Sequence, residues 1–337
     1  MVSKQFLLKR LLLLFPVLFG VATVVFAILH LSPGDPAVTI AGDRASQEFV
    51  DEVRRDLGLD DPLWQQYVRF LGDVVAFDFG QSYQVQRGTP VSEILVDRLP
   101  ITIELALLGE AAGLLFGLPL GILSAVKQDT WTDHLTRVGA LSGISVPIYW
   151  SGPLLILLFA QFLGLLPTSG RIGSAYFVES QTGFILIDTL LAGNVAAFRS
   201  AAYHLALPVV VLGIYQMALI SRMMRSSMVE VIRQDYMRTA RAKGQGAKIT
   251  VMKHGLRNAF IPVITVIGIQ FGSLLGGAVL TETVFEINGI GTLLVDAINR
   301  SDYPVVQATV LVFAVLYTLV NLGVDVTYSV LDPRIEQ

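Results

Sequence analysis

Long apolar runs without charged residues divide this chain into segments that are long enough to cross a membrane. The run from Leu11 to Leu31 has His30 as its one ionisable residue. As a helix, its 21 residues would extend about 32 Å, and the hydrocarbon core of a bilayer is about 30 Å thick. Five further runs follow at 101–126, 138–166, 205–224, 260–280 and 305–330. The pattern predicts an all-α integral membrane protein with six transmembrane helices.

Composition supports the membrane class and removes several kinds of chemistry. Hydrophobic residues make up 53% of the 337 residues and charged residues 15%, whereas soluble chains carry about 25% charged residues. Cysteine is absent, which excludes disulfides, thiolate metal sites and cysteine nucleophiles. The four histidines are scattered without metal-ligand spacing, so we expect no metal site.

The distribution of positive charge predicts the orientation of the chain. With six crossings, both termini and the connections at 127–137 and 221–259 lie on one side of the membrane. These four segments contain 15 of the 24 Lys and Arg residues, and the positive-inside rule then places both termini in the cytoplasm. Lys4, Lys9 and Arg10 could also begin a secretory signal. The apolar run after them is about twice too long for one and no A-x-A-like site follows, which favours a retained helix.

The connections on the opposite side are acidic or rich in turn signals. Loop 32–100 has six arginines against twelve acidic residues. Amphipathic spacing at 49–57 and 63–76 predicts two helices at the membrane surface. The connection 167–204 contains "GFILIDTLLAG", which is too short to span and is predicted to be a re-entrant or surface element. We therefore divide the chain into a first helix with its loop at 1–100, a five-helix core at 101–330 and a cytoplasmic tail at 331–337.

The basic loop 221–259 has an internal pattern of its own. Nine basic and two acidic residues could simply enforce topology and attract anionic lipid. However, residues 226–243 lack proline and glycine, and apolar residues fall at helical spacing at Met228, Ile232 and Tyr236. Gly244 is expected to end this helix, and a second amphipathic run, "AKITVMKHGL", follows it. The pattern predicts a helix–turn–helix with a small tip and a basic rim that docks into a cleft.

Short motifs in a fixed order resemble one transporter family along essentially the whole chain. "DYMRTARAKG" followed by "HGLRNAFIPVIT" is similar to the cytoplasmic loop of permeases from ABC importers of the dipeptide, oligopeptide and nickel class, and most similar to the dipeptide branch. Further matches are "LSPGDP", "LGLDDPLWQQY", "LPITIELAL", "TGFILIDT", "ETVFEINGIGTLL", "RSDYPVVQ" and "LDPRI". Each motif is weak alone, whereas the ordered set is specific.

The chain departs from the family pattern in three places. Arg238, Thr239 and Ala240 stand where the general importer signature has Glu-Ala-Ala, as they do in the peptide branch. Phe77 replaces a glycine, and "ING" stands where many members have Trp-Pro-Gly. The last two departures concern loops on the outer side rather than the coupling loop.

The resemblance implies a type I ABC importer permease in the plasma (inner) membrane of a bacterium or archaeon. Such a permease forms half of the translocation pathway for dipeptides or short peptides. The implied partners are a second homologous permease, two ATP-binding subunits and an extracytoplasmic solute-binding protein, with no nucleic acid. No catalytic residue and no cofactor are implied in this chain, because ATP and Mg²⁺ are bound by the partner subunits. Consistent with this, the chain has no G-x-x-x-x-G-K-[ST] phosphate loop.

The resemblance also assigns a role to the basic loop. In the family, its short helix fits a groove on the ATP-hydrolysing subunit and transmits the closure of that subunit to the membrane helices. Carried over to this chain, the coupling residues are Glu230, Asp235, Tyr236, Arg238, Ala240, Arg241, Ala242 and Gly244.

Polar residues inside the predicted spans are candidates for the translocation pathway, because a charge costs about 2.5–3.5 kcal/mol at the bilayer centre. The candidates are Glu104, Glu110, Gln270 and Glu282. For Glu104 and Glu282, the alternative is a carboxylate at a helix end that is hydrated or ties helices together. The small residues Gly272, Gly276 and Gly277 permit close helix approach, either within the chain or at a seam with the partner permease.

The alternatives to a dipeptide importer are an importer for another solute, a secondary carrier and a membrane-embedded hydrolase. Related importers use the same machinery for glutathione, nickel chelates and oligosaccharides. An ion-coupled secondary carrier would need inverted repeats or buried ion sites, and the sequence shows neither. A membrane-embedded hydrolase would need G-x-S-x-G, H-E-x-x-H or paired His and Asp residues, which the sequence lacks. The importer permease is therefore the favoured hypothesis.

Overall fold

The computed structural model describes residues 4–31, 35–42 and 45–331. Helices joined by loops make up these ranges, and no β-strand occurs within them, as predicted. Part of "LSPGDP", most of "LDPRI" and the predicted tail after Leu331 lie outside the described residues.

Fourteen helices lie within the described ranges. The helices are α1 Lys4–Leu31, α2 Pro36–Ala41, α3 Gln47–Asp56, α4 Leu63–Ala76, α5 Val91–Val126, α6 Trp131–Ser145, α7 Ile148–Leu155, α8 Ile185–Leu191, α9 Val195–Ile232, α10 Asp235–Ala242, α11 Ala247–Ile249, α12 Leu256–Val284, α13 Ile290–Asn299 and α14 Tyr303–Leu331. A π-helix continues α7 over Ile156–Phe162, and another joins α11 to α12 over Thr250–Gly255. We call the end of the bundle that carries α2, α3 and α4 the loop end, and the end that carries α10 the basic end.

Several of these helices are membrane spans by length and composition. Among the described residues, four are long and apolar enough, at Val91–Val126, Val195–Ile232, Ala247–Leu274 and Tyr303–Thr327. A fifth span results if α6 and the α7 segment count as one. The apolar part of α1, Leu12–Ile28, is shorter. A chain with several spans is thus confirmed, while six crossings and cytoplasmic termini stay predictions.

The segment predicted as a span at 138–166 is not one straight helix, because the chain bends by 103° between α6 and α7. The bend falls at Val146 and Pro147. A residue before proline is pushed out of the helical region by the pyrrolidine ring, and Val146 is accordingly extended with ψ 119°. Pro147 then caps the N-terminus of α7, where its lack of a backbone N–H leaves no helical hydrogen bond unmade.

The central pair of the bundle is α5 with α9, and glycines bring the two helices together. The glycines occupy every fourth position of α5, at Gly109, Gly113, Gly117 and Gly121. Facing them, α9 places Leu212, Gln216, Ile220 and Met224. A Cβ added at Gly121 would lie 2.7 Å from the Met224 Cβ, closer than real Cβ contacts. Glycine therefore sets the distance between the two helix axes.

A buried apolar cluster joins α5 and α9 to the rest of the bundle. Its fully buried members from α5, α9, α12 and the loop after α12 are Ile101, Leu105, Leu205, Leu207, Val211, Leu212, Leu274, Phe285 and Ile287. Because α12 contributes Leu274 and also contacts α14, the cluster places α12 between the central pair and α14.

The two amphipathic helices predicted at 49–57 and 63–76 are confirmed as α3 and α4. Val50 and Val53 of α3 pack with α2 in a separate small core that includes Tyr83 and Tyr303. Burial, with a smaller contribution from nearby carboxylates, raises the pKa of the Tyr83 phenol to about 12. The phenol therefore stays neutral near pH 7.

One buried carboxylate fastens the loop before α5 to the start of α14. Asp302 is fully buried and accepts a hydrogen bond of 2.6 Å from the Ser82 hydroxyl. The backbone N–H groups of Gln84 and Val85 each donate to the same carboxylate at 2.9 Å. Several donors on one carboxylate satisfy its charge where the side chain is buried. The loop end is thereby held to the membrane bundle.

We predict that Gly117→Leu destabilises the chain, because a Cβ there would lie 2.9 Å from the Met217 carbonyl oxygen and would force α5 from α9. Overpacking of this kind costs about 1–3 kcal/mol. The measurement is the midpoint of thermal unfolding of the detergent-purified chain. Gly139→Leu is the matched control, because a Cβ at Gly139 meets no described atom within 4 Å. Equal midpoints for the two variants would contradict the assigned role of the glycines.

Candidate coupling surface and buried carboxylates

The basic loop forms the predicted helix–turn–helix, but its first helix differs from the prediction. A single helix over 226–243 is wrong, because α9 ends at Ile232 and α10 begins at Asp235. Gln234 between them is extended, with ψ 150°. Asp235 lies in the first turn of α10, where a negative charge is stabilised by the helix dipole. The loop therefore carries a separate eight-residue helix.

The face of α10 that packs on the protein does not continue the apolar face of α9. The i, i+4, i+8 spacing of Met228, Ile232 and Tyr236 predicts that the three side chains share one face of a helix. Instead Met237 is fully buried, next to Gly255 and Met228, while Tyr236 is 41% exposed. The two-residue break before α10 shifts the helical register, which explains the change. Met237 is the apolar anchor of α10.

The predicted coupling residues lie on the outer surface of this loop. Ala240 is half-buried, and the exposed ones are Glu230, Asp235, Tyr236, Arg238, Arg241, Ala242 and Gly244. Asp235 and Arg238 form an ion pair at 3.7 Å, but both side chains are largely exposed, so the pair adds little stability. Gly244 has φ +80°, a conformation that glycine adopts without strain, and it ends the helix as predicted.

Two apolar side chains that the sequence analysis missed extend this surface. Ile249 and Met252, which follow α10, are about half exposed. Tyr236 is held in place because Asn258 at the start of α12 donates a 3.0 Å hydrogen bond to its hydroxyl. Exposed apolar groups within a charged rim are typical of protein interaction sites. Both lie in the predicted amphipathic run "AKITVMKHGL", whose spacing indicates a helix but not which of its apolar side chains stay exposed.

A buried ion pair above the loop was also missed. Asp133 at the start of α6 is fully buried and accepts two 2.7 Å hydrogen bonds from Arg225 of α9. The Ser124 hydroxyl of α5 donates at 2.5 Å, and the Asp129 backbone N–H donates at 3.0 Å. Three helices thus meet on one carboxylate at the basic end. Arg225 precedes the end of α9 by about two turns, so the ion pair fixes the helix that leads into α10.

Glu104, a predicted pathway residue, accepts hydrogen bonds from the connection that precedes α9 at the loop end. Its buried carboxylate accepts a 2.6 Å hydrogen bond from Arg171. The backbone N–H groups of Ile185 and Leu186 donate to it at 3.2 and 3.0 Å. These two groups belong to the first turn of α8, which is the short helix inside the predicted surface element "GFILIDTLLAG". Glu104 therefore holds α8 against α5.

Glu282 makes a comparable contact between α12, α5 and α13. Its carboxylate is fully buried and accepts hydrogen bonds from the Thr102 hydroxyl and the Thr292 backbone N–H. The same Thr102 hydroxyl accepts from the Ile290 backbone N–H at 2.9 Å. Gly291 lies so close that an added Cβ would come within 2.8 Å of Glu282 Oε2. The "GIG" segment therefore makes room for this carboxylate.

Glu110 and Gln270 differ from the other two candidates. Glu110 is buried between α5 and α9, where the Gln216 amide donates to its Oε2 atom. Its Oε1 atom and the Gln270 Nε2 atom are buried and have no hydrogen-bond partner among the described residues. Glu104, Glu110 and Glu282 bond to different partners, and no hydrogen bond joins any two of the four candidates within the described residues.

The glycines of α12 also separate into two kinds. Gly272 packs against Tyr317 of α14, and Gly277 lies near Ile148 and Leu212. A Cβ added at Gly276 would meet no described atom within 4 Å. Close approach within the chain is thus observed at two of the three glycines.

Comparison with known proteins identifies the class. Residues 117–337 match the family described as "Binding-protein-dependent transport system inner membrane component", and residues 3–106 match the corresponding N-terminal family. The chain belongs to this family of inner membrane components, and it is a multi-pass membrane protein of the permease type.

Individual relatives match over nearly the full length. The chain is 45% identical over 329 residues to the dipeptide transport system permease protein of Alkalihalophilus pseudofirmus, covering 98% of each chain. It is 46% identical over 332 residues to the di/tripeptide transport system permease protein of Pseudomonas aeruginosa, again covering 98% of each. An inward-facing structure of a methionine ABC transporter matches 71% of this chain and 97% of its own, with a TM-score of 0.54 and 18% identity. The type I importer permease fold is thereby confirmed.

We predict that Asp133→Ala lowers stability by about 3 kcal/mol, because it leaves the Arg225 guanidinium without its partner. The double variant Asp133→Ala with Arg225→Met should recover part of this loss, since no unpaired charge remains. Thermal unfolding of the purified variants is the measurement. Asp129→Asn is the control, because the backbone N–H that donates to Asp133 is retained and asparagine tolerates the φ of +62° at this position. A double variant less stable than Asp133→Ala would contradict the interpretation.

Proposed function

We propose that this chain is the permease subunit of an ATP-driven ABC importer and forms half of the translocation pathway for dipeptides and short peptides. The observation that carries the proposal is identity of 45–46% over 98% of the chain to permeases that are named for dipeptide and di/tripeptide transport. The exposed surface of α10 supports it, because a permease of this type needs a docking element for its ATPase.

We propose that α10 is the coupling helix and that an ATP-binding subunit grips its exposed residues. The helix lies between α9 and α12 along the chain. Met237 packs at Gly255, just before α12, and Met228 of α9 comes close to the same glycine. A displacement of α10 would therefore act on two membrane spans at once. ATP binding can drive transport in this way only if the ATPase holds α10 differently in its open and closed states.

The remaining parts of the assembly follow from the same proposal. Two ATP-binding subunits, which hold ATP and Mg²⁺, a second homologous permease and an extracytoplasmic solute-binding protein complete the importer. Both termini and α10 face the cytoplasm, because 15 of the 24 Lys and Arg residues lie in the segments at that side. The open space beside Gly276 supports a contact of α12 with the partner permease at that position.

For the pathway, we propose different roles for the four candidate residues. Glu110 and Gln270 keep buried polar atoms without partners among the described residues, and these atoms can bind water or a passing peptide. Glu104 and Glu282 have several donors each, so we assign them to holding the helices together.

We predict that Ala242→Trp reduces uptake about tenfold or more, because a bulky side chain at this exposed position would prevent docking. A tenfold effect corresponds to a loss of about 1.4 kcal/mol at the interface. Ala242 is a better position for this test than Gly244, because Gly244 has φ +80°. Any side chain at Gly244 would be strained, and a loss of uptake could then come from misfolding rather than from failed docking. Uptake of labelled dipeptide into cells is the measurement, with expression of the chain followed in parallel.

The control for this experiment is Lys127→Trp, an exposed position of the basic end outside α10. It should leave uptake unchanged. Full uptake by Ala242→Trp, or equal loss in both variants, would refute the coupling role of α10.

We predict that unlabelled dipeptides abolish the uptake of a labelled dipeptide that depends on this chain. Glutathione, a nickel chelate and an oligosaccharide should not compete at the same concentration. The measurement is competition in cells with and without the gene. If the labelled dipeptide enters cells equally with and without the gene, while labelled glutathione enters only with it, the importer assignment is kept but the proposed substrate is wrong. Dependence of uptake on an ion gradient in the absence of ATP would instead favour the secondary carrier.

A further inference from the structure

A cavity of about 310 Å³ opens at the basic end between α6 and α9. Its lining is basic and polar on one side and apolar on the other. The lining residues are Ser124, Thr136, Arg137, Ala140, Leu141, Ile144, Ser221, Arg222, Arg225 and Ser226. No acidic side chain is among them, so the cavity is a positively charged space beside a membrane span.

Two of the three arginines carry charge that the protein does not neutralise. Arg225 is bonded to Asp133. Arg137 and Arg222, by contrast, have no hydrogen-bond or ion-pair partner in the part of the chain that the structure describes. The hydroxyls of Ser221 and Ser226 add two further donors to the lining. This set of donors fits an anion with several oxygen atoms.

The register of the two helices gives the depth of the cavity. Asp133 of α6 bonds to Arg225 near the basic end. Gly143 of α6 packs against Ile214 and Ala218, which lie further along α9 towards the loop end. The unpaired arginines lie between these two contacts. One to two turns deeper in the membrane, the wall consists of Ala140, Leu141 and Ile144.

The outer face of α6 continues this apolar wall. Leu135, Val138 and Leu141 are 65%, 61% and 55% exposed. A row of exposed apolar side chains on a helix of a membrane bundle is a surface for acyl chains. The cavity therefore combines a charged region near the membrane surface with an apolar region that leads into the hydrocarbon core.

We infer that this cavity binds the phosphate group of an anionic phospholipid, with its acyl chains along α6. Arginine forms paired hydrogen bonds with phosphate oxygens, and basic pockets between membrane helices bind anionic headgroups. A soluble phosphate would satisfy the arginines but would leave the apolar wall without a partner. A helix of another subunit would need carboxylates opposite Arg137 and Arg222. The lipid accounts for both halves of the cavity.

The test uses the full-length chain, purified together with the subunits that accompany it. Phosphatidylglycerol is titrated into the sample and bound lipid is counted by native mass spectrometry. Each arginine near the membrane surface strengthens the binding of an anionic lipid through its charge. Arg137→Gln should therefore weaken lipid binding about 5-fold, and Arg137→Gln with Arg222→Gln about 30-fold. Arg137→Lys with Arg222→Lys should retain most of the binding, because the charge is kept. Equal thermal midpoints show that the variants are folded.

Lys127→Gln is the matched control, because Lys127 is exposed at the same end and does not line the cavity. Its affinity for phosphatidylglycerol should equal that of the unmodified chain. Three outcomes would overturn the inference. The first is a double glutamine variant that binds as the unmodified chain does, and the second is an equal loss in Lys127→Gln. The third is competition by millimolar inorganic phosphate, which would identify a soluble anion as the occupant.

Discussion

Contact between the backbones of α5 and α9 is the constraint on which the rest of the structure depends. Four glycines at every fourth position of α5 remove the side chains that would otherwise separate the two helices. In a bilayer, lipid tails are as apolar as the helices, so close packing rather than water exclusion favours helix association. Both helices are longer than the hydrocarbon core requires, and their ends therefore reach the polar contacts of the loop end and of the basic end.

Buried carboxylates then fix the helices at the two ends of this pair. Glu104 and Glu282 act at the loop end, and Asp133 acts at the basic end. Each accepts hydrogen bonds from more than one element, so its burial is compensated. The middle of the pair is different, because Glu110 has an oxygen atom without a partner among the described residues. Helices that are tied together at both ends, with a polar group that lacks some of its hydrogen bonds between them, suit a permease that must open a path while its helices stay packed.

The sequence predicts the elements of this protein better than their contacts. The apolar runs, the amphipathic helices α3 and α4, and the stop at Gly244 follow from local patterns, and the structure has them. The bend at Pro147 also had a local signal in the proline itself. By contrast, Asp133 and Arg225 are separated by 92 positions, and nothing in either segment indicates its partner. The burial of Met237 in place of Tyr236 depends on a two-residue break whose cause is tertiary.

Asp302 has a consequence for how the chain is made. The hydroxyl of Ser82 precedes its carboxylate partner by 220 positions, and that partner stands at the start of the last membrane span. During synthesis from the N-terminus, the segment around Ser82 emerges long before α14. The elements at the loop end are therefore completed only when the final helix arrives, and a truncated polypeptide would leave them incomplete for proteases to recognise.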